Sequence, residues 1–231
     1  MALGNRTGKR RWDEYGAYLF DIDGTLLSCA DAVHYFAFCE ALRLLSGRAL
    51  TLDGVTAHGN TDVGILRDAL ALAKVPEAEW RPRLAQAQAG MSSFVEQRRD
   101  DLCITVLPGV IDVLTHLRQR HAVLGVATGN LERIGRAKLS RVGLLKYFDF
   151  GGFSDIREFR RDVFQDAFAR ARELAGEQAE TCVIGDTPQD IRAARWNGLD
   201  IIAVATGIYS FGQLHAEAPD WCLHSLEELP R

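Results

Sequence analysis

Two carboxylates, Asp21 and Asp23, stand one residue apart at the end of a short apolar run and are followed at once by Gly24 and Thr25. The run, residues 18–20, predicts a buried strand, and open α/β sheets bind ligands at the carboxyl ends of such strands. An Asp-Gly pair by itself is more typical of an ordinary turn. The apolar run, the paired acids and the threonine together favour a site in which both carboxylates point into a crevice.

A second pair of acids, Asp186 and Asp190, follows another predicted strand at residues 181–185. In a parallel sheet this strand would end at the same edge as the strand before Asp21. Carboxylates that share a crevice repel each other unless a cation lies among them, and ligands that are all oxygen favour a hard ion such as Mg²⁺. We therefore expect a Mg²⁺ site formed by Asp21 and Asp186, with Asp190 as a third ligand or as a support for the others.

Neutral hydrogen-bond donors accompany these acids. Residues 122–127 form a continuous apolar run, typical of a strand that is buried on both faces, and polar residues follow it directly. Hydroxyl groups, together with the backbone N–H groups of glycine-containing loops and helix starts, suit a phosphate group. The predicted phosphate-binding residues are Thr25, Thr128, Gly129 and Asn130.

The second part of the chain shows the elements that would position these loops. From residue 104 onward, runs typical of strands alternate with helices of about 10 to 15 residues. This alternation implies right-handed crossovers and a parallel sheet. The sequence therefore predicts an α/β fold whose core is a doubly wound parallel sheet.

Between the first strand and residue 104 the apolar spacing is helical instead. Asp31 can cap a first helix that stops at Gly47, a second helix follows residues 60–62, and a third is predicted over residues 77–99. Helices without an intervening strand indicate a small inserted domain. The predicted division is an N-terminal tail of residues 1–14, a core of residues 15–28 and 104–231, and a helical insertion of residues 29–103.

Composition and charge argue against several classes of protein. The 231 residues are 47% hydrophobic and 25% charged, as in an ordinary globular chain. The net charge of −4 gives no global basic field for nucleic acid or an anionic membrane. The basic residues Arg6, Lys9, Arg10 and Arg11 are interpreted as part of a solvated tail.

The five cysteines are widely spread and show no metal-ligand spacing. Neither a cleavable signal sequence nor an apolar run of about 18 residues is evident. We therefore expect a cytoplasmic protein with no membrane or nucleic-acid partner, which acts as a monomer or a homodimer.

Three of these motifs, in this order and spacing, make the chain resemble the haloacid dehalogenase (HAD) superfamily of phosphohydrolases over about residues 17–229. Asp21-Ile22-Asp23-Gly24-Thr25 matches the first family motif, Thr128 the second, and Gly185-Asp186 with Asp190 the fourth. The resemblance implies a Rossmann-like core. The inserted helices resemble the family's C1-type cap.

A short segment of the insertion, residues 58–62, resembles the cap turn of phosphoglycolate-phosphatase-like members. His58 and Asn60 are therefore candidates for substrate contact from the cap. Two other interpretations stay open, because a histidine before glycine is as often a turn residue, and Asn60 and Thr61 suit the cap of the following helix.

The third family motif, a Lys before a helix start, is altered. Aligning residues 162–164 on that helix start places Glu158 where the Lys would stand, and no lysine lies nearby. Three arginines lie nearby instead, at Arg157, Arg160 and Arg161, and some relatives use an arginine shortly before the helix. We predict that Arg160 bridges the nucleophile and the phosphoryl group, and that the other two arginines face solvent.

The resemblance implies that Asp21 attacks phosphorus and forms an aspartyl-phosphate. Asp23 would protonate the leaving oxygen and then activate water, a role worth typically ~10² to 10⁴ in rate. Mg²⁺ would be held by the Asp21 side chain, the Asp23 backbone carbonyl and Asp186, with Asp190 orienting a metal-bound water or the arginine.

The predicted function is hydrolysis of a small soluble phosphomonoester. One alternative is a phosphomutase of the β-phosphoglucomutase type, which would need basic cap residues aimed at a second phosphate. Arg43, Arg48, Arg67 and Lys74 are available but form no clear cluster. Another alternative is a non-catalytic binding module, which the intact acids disfavour.

Overall fold

The fold is built around a parallel sheet, seen in a computed structural model that describes residues 10–229. In chain order the strands are β1 (Ala17–Phe20), β2 (Leu27–Cys29), β3 (Ile104–Val106), β4 (Val123–Ala127), β5 (Phe150–Gly152), β6 (Thr181–Gly185), β7 (Asp200–Val204) and β8 (Trp221–Leu223). The helices are α1 (Val33–Ser46), α2 (Asp62–Leu72), α3 (Glu77–Trp80), α4 (Leu84–Gln97), α5 (Val110–Gln119), α6 (Glu132–Arg141), α7 (Arg160–Ala175), α8 (Pro188–Trp196) and α9 (Phe211–Ala216).

Six strands form one sheet in the order β5-β4-β1-β6-β7-β8, and every neighbouring pair is parallel. The central strand β1 lies between β4 and β6, with Phe20 in register with Val126 and Ile184. This register brings the loops after the three strands side by side at one edge of the sheet. The predicted α/β fold is confirmed.

Helices cover both faces of the sheet, so its central strands are apolar on both sides. Along β1, Tyr18 and Phe20 pack into one hydrophobic cluster with α5, whereas Leu19 packs into a second cluster with α7 and α8. Strands covered on both faces read as continuous apolar runs rather than as alternating ones. This explains why the sequence shows unbroken apolar segments before each candidate loop.

Helices α1 to α4, here called the cap, share a hydrophobic cluster that includes Phe38, Leu66 and Met91 and that continues onto Ile134 of α6. The chain enters the cap through β2 and leaves it through β3, and these two strands pair with each other in an antiparallel ribbon. This ribbon was not predicted, because three-residue strands are too short to show a periodic pattern. The predicted boundaries between the core and the helical insertion, residues 29–103, fall at this ribbon. We propose the same division into core and cap.

The helix predicted over residues 77–99 is interrupted. The chain forms α3, then a single 3₁₀ turn at Arg81–Arg83, then α4. Pro82 lacks an N–H group, and its ring conflicts with the carbonyl of the preceding helical turn. The apolar periodicity on either side of the proline hid this break. The sequence analysis did not predict strand β8 or helix α9.

The predicted N-terminal tail is only partly covered, because Arg6 and Lys9 lie outside the described residues. In the described part, Arg10 and Arg11 are exposed, as the interpretation of a solvated basic cluster expected, whereas Trp12 and Asp13, in the same predicted tail, are buried. The Tyr18 hydroxyl donates to the Trp12 carbonyl at 2.8 Å, and the Trp12 ring lies 5.3 Å from the His116 ring between centroids. Within residues 10–229, no helix combines the length and apolar character needed to cross a bilayer.

The burial of Trp12 predicts a large difference between two tryptophan substitutions. Trp12→Ala should lower the free energy of unfolding by about 3 kcal/mol or more, as truncation of a buried aromatic residue does. Trp196, which is 69% exposed, serves as the control, and Trp196→Ala should lower it by less than about 1 kcal/mol. Urea denaturation followed by circular dichroism measures both. Equal effects would mean that Trp12 is not part of the core.

Candidate active site

A cavity of about 460 Å³ opens between the ends of the central strands and the cap. Its core side includes the loops after β1, β4, β6 and β7, and its cap side includes α1, the segment before α2 and the first turn of α2. Residues that contribute to its wall include Asp21, Asp23, Thr128, Gly129, Asn130, Arg160 and Asp186 from the core, and His34, Phe38, His58 and Asn60 from the cap.

Asp21, Asp186 and Asp190 place their carboxylate oxygens within 4.8 Å of one another, and all three residues are buried. Burial raises the pKa of Asp21 to about 6, against the opposing pull of Arg160. Burial, with the charges of Asp21 and Asp190, likewise raises the pKa of Asp186 well above its usual value. Two carboxylates whose ionised forms are destabilised in this way, with a third carboxylate beside them, fit a hard divalent cation such as Mg²⁺.

The contacts of Asp190 distinguish it from the other two acids. Its Oδ2 accepts hydrogen bonds from the backbone N–H and the hydroxyl of Thr187, at 3.0 and 2.7 Å, in the capping box that begins α8. Its Oδ1 lies 2.5 Å from Nε of Arg160. Because these partners occupy both oxygens, Asp190 suits the predicted supporting role better than that of a direct ligand.

Arg160 is the first residue of α7 and is 8% exposed. Its Nη2 lies 2.7 Å from Oδ1 of Asp21, so one guanidinium joins Asp21 to Asp190. Burial disfavours its charge, but the two carboxylates outweigh that effect and raise the pKa of Arg160. Arg157 and Arg161 lie at the surface beside Asp166 and Asp162. This placement fits the predicted choice of Arg160 among the three arginines.

Glu158, at the position where the family motif predicts a Lys, points toward the cap. Its carboxylate pairs with Arg67 of α2 at 3.4 Å and with Arg81. Its backbone carbonyl accepts a hydrogen bond from the Thr61 hydroxyl at 2.7 Å. The altered motif therefore ties the cap to the loop that carries Arg160.

Asp23 faces the cavity beside a buried lysine. Lys138 of α6 donates to both carboxylate oxygens of Asp23, at 2.7 and 2.9 Å, and the Asn130 side-chain amide donates to one of them at 2.8 Å. Burial alone would raise the pKa of Asp23, but the charge of Lys138 and these hydrogen bonds lower it to about 2. Asp23 is therefore ionised at neutral pH in the absence of substrate.

The predicted phosphate-binding residues do not all face the cavity in the same way. Thr128 and Gly129 contribute to its wall. Thr25 donates its hydroxyl to Asp186 at 3.2 Å, and the Asn130 amide is bound to Thr128 as well as to Asp23. Direct binding of phosphate by Thr25 and Asn130 stays a prediction.

The two cap candidates differ in their contacts. His58 is exposed on the cavity wall. The Asn60 side chain is bound within the cap, because its amide donates to Asp68 at 2.9 Å and its oxygen accepts from the Thr61 backbone N–H. Thr61 caps α2 by accepting from the Gly64 N–H at 2.9 Å, as the helix-cap interpretation expected.

Sequence reasoning missed Lys138 and His34. A signal for Lys138 existed, because it lies four residues after Ile134 on the buried face of α6, where a lysine is unusual unless it is paired. His34 showed no such signal, since its partners come from distant parts of the chain. Its Nδ1 lies 3.2 Å from Lys138 Nζ, and its Nε2 lies 3.2 Å from Asp62.

Comparisons with known proteins agree with this geometry. A family model described as haloacid dehalogenase-like hydrolase matches residues 15–198. A phosphoglycolate phosphatase of Synechococcus elongatus is 30% identical over 224 residues, which cover 92% of this chain and 94% of that protein. The protein of Dickeya dadantii named "Probable phosphatase IndB" is 27% identical over 211 residues, which cover 91% of this chain and 90% of that protein.

A solved structure shows the same fold. The crystal structure of CbbY from Rhodobacter sphaeroides in complex with phosphate has a TM-score of 0.70 at 21% identity, covering 93% of this chain and 96% of that chain. The fold and the acidic crevice thus define a capped α/β hydrolase. The chain belongs to the haloacid dehalogenase-like hydrolases, and the resemblance predicted from its three motifs is confirmed, as is the expectation of an enzyme of the phosphatase type.

The acidic cluster predicts a stabilisation by Mg²⁺ that depends on pH. The pKa of Asp21 is 3.8 in its usual state and about 6 in the folded protein. Between these two pH values, Asp21 of the folded protein keeps a proton that the unfolded chain has lost. Stability without metal should therefore fall as pH rises through this window. Mg²⁺ binds the ionised form, so it should raise the melting temperature more at pH 7.5 than at pH 5, by about 2 to 4 °C for each kcal/mol of binding.

Differential scanning fluorimetry in Mg²⁺ or in EDTA measures this difference. Asp186→Asn should abolish the Mg²⁺ effect, whereas Asp100→Asn, at an exposed position, should keep it. A shift of equal size at both pH values, or one that survives Asp186→Asn, would contradict a Mg²⁺ site in this cluster.

Proposed function

We propose that this protein is a Mg²⁺-dependent phosphatase that hydrolyses a small phosphomonoester through an aspartyl-phosphate on Asp21. The observation that carries the proposal is the contact of Asp21 with buried Arg160 at 2.7 Å, in the cavity that Asp23 also faces. A carboxylate nucleophile, a cation for the phosphoryl oxygens and a second carboxylate for proton transfer are the groups that this reaction needs.

The first step is an in-line displacement at phosphorus. A carboxylate oxygen of Asp21 forms a bond to phosphorus while the bond to the leaving oxygen breaks. Asp23, which is ionised in the empty site, takes up a proton from the monoanionic form of the phosphomonoester and delivers it to that oxygen, and Arg160 donates to the phosphoryl oxygens as negative charge builds on them. When bound by Asp21, Asp186 and the Asp23 carbonyl, Mg²⁺ supplies further positive charge beside those oxygens.

In the second step, water attacks the phosphorus of the aspartyl-phosphate. Asp23 takes a proton from this water, the bond between phosphorus and Asp21 breaks, and inorganic phosphate leaves. The ionised state of Asp23 suits this base role. The cap covers the cavity, which limits the entry of other water during the first step.

For the substrate, we propose a small phosphorylated metabolite, with His58 as a contact from the cap. The cavity volume of about 460 Å³ supports a compact substrate. The phosphoglycolate phosphatases among the relatives make phosphoglycolate the first compound to assay. None of the basic residues suggested for a mutase contributes to the described wall of this cavity, so nothing favours a phosphomutase over a phosphatase.

Phosphate release with and without Asp21 tests the proposed function. The wild type, with Mg²⁺, should release phosphate from at least one of phosphoglycolate, a sugar phosphate, a nucleotide and 4-nitrophenyl phosphate. Asp21→Asn should lose about 10³-fold or more of this activity, because the amide cannot form the covalent intermediate. Asp100→Asn is the control at an exposed position. Unchanged release in Asp21→Asn would refute the mechanism.

A second prediction separates Arg160 from its surface neighbour. Arg160→Met should lower kcat/KM about 10²- to 10³-fold, the usual effect of losing a preorganised group that stabilises developing charge. Arg157→Met removes an arginine that is paired with Asp166 at the surface and should change kcat/KM by less than about 3-fold. Steady-state kinetics on the best substrate measure both. Equal losses would show that Arg160 has no special role.

A further inference from the structure

Lys138 is a fully enclosed cation with no role in the reaction as described so far. It is 3% exposed, and its ammonium lies 2.7 and 2.9 Å from the two oxygens of Asp23, 2.9 Å from the Asn130 side-chain oxygen and 3.2 Å from Nδ1 of His34. Four acceptors therefore surround its three N–H groups. A lysine is rarely placed in such surroundings unless its charge is used.

The Asp23 side chain, in contrast, is not held by packing. It is 41% exposed toward the cavity, whereas the Lys138 side chain is 4% exposed. Its orientation therefore depends on hydrogen bonds, which come from Lys138, from the Asn130 amide at 2.8 Å and from the Cys29 thiol at 3.5 Å. Among these donors Lys138 is the one that carries a charge, and it donates to both carboxylate oxygens of Asp23.

Lys138 also connects Asp23 to the cap. His34, on α1, accepts from Lys138 at Nδ1, so its Nε2 carries the proton and donates to Asp62 at 3.2 Å. Asp62 begins α2 and binds the core in turn, because its backbone N–H donates to the Gly129 carbonyl at 2.7 Å and its carboxylate accepts from the Leu131 N–H at 2.8 Å. The contact of Lys138 with His34 exists only while α1 lies against α6.

We propose that Lys138 is the positioning residue of Asp23. It holds the carboxylate in the orientation from which a proton reaches the leaving oxygen, and its contact with His34 makes that orientation depend on the position of the cap. This inference rests on the proposed function, because it assigns Lys138 to the proton transfer that Asp23 performs there.

The proposal predicts an effect that depends on the leaving group. An unsubstituted phenol leaves poorly without a proton, whereas 4-nitrophenol leaves with little help. Misplacement of the acid should therefore slow phenyl phosphate far more than 4-nitrophenyl phosphate. A lysine that served only to fill space or to stabilise the fold would affect both substrates equally.

Lys138→Met tests this with the two aryl phosphates, which share the phosphate and the phenyl ring and differ by the para nitro group that makes 4-nitrophenol the better leaving group. We expect kcat/KM to fall about 100-fold or more for phenyl phosphate and less than about 10-fold for 4-nitrophenyl phosphate. Lys146→Met is the matched control, because Lys146 is exposed and the chemical change is the same. It should leave both values within about 2-fold. Lys138→Gln, which keeps a donor, gives the same comparison if Lys138→Met does not fold.

A double mutant shows whether Lys138 acts through Asp23. In an Asp23→Asn background, Lys138→Met should lower the remaining 4-nitrophenyl phosphatase activity by less than about 3-fold. Equal losses on the two substrates, or a full additional loss in the double mutant, would overturn the positioning role while the proposed function stands. Absence of phosphate release by the wild type from both aryl phosphates and from every other substrate of the panel, or release that survives Asp21→Asn, would overturn the proposed function and this inference with it.

Discussion

The site depends on the charge balance among buried carboxylates. Asp21, Asp186 and Asp190 lie too close together to be ionised without compensation, and a buried unpaired charge is among the most destabilising features that a protein can contain. Arg160 offsets part of this charge by joining two of the acids. Burial, together with the negative charge that remains, raises the pKa of Asp21, and the same negative charge leads us to expect Mg²⁺ binding. The repulsion that destabilises the cluster on its own is thus also what suits it to hold a cation.

The negative charge of Asp23 is compensated separately, and a residue of the cap contacts the compensating group. Lys138 compensates the charge of Asp23 from the core, and His34 reaches the same ammonium from α1. Glu158 adds a separate contact, because it pairs with two cap arginines beside the loop that carries Arg160. Electrostatic contacts therefore connect the cap to Asp23, through Lys138, and to the segment directly before Arg160, through Glu158.

Much of the fold and the centre of the site could be predicted, because their signals are local. A doubly covered strand needs a continuous apolar run, and the loop after it needs its functional groups within a few residues, as in the segments that hold Asp21, Thr128 and Asp186. The misses have equally local causes. Strands β2 and β3 are too short to show a periodic apolar pattern. Pro82 interrupts a helix, although the apolar spacing typical of a helix continues on both sides of it.

The sequence by itself determined the parallel core, the helical insertion and the acids at the strand ends, since each follows from periodicity or from neighbouring residue types. Only the tertiary structure decided how charges are matched. It placed Arg160 between Asp21 and Asp190, turned Glu158 to the cap, and set Lys138 against Asp23 across 115 positions of the chain. Pairing of buried charges depends on distances in space between residues far apart in sequence, and no local pattern records those distances.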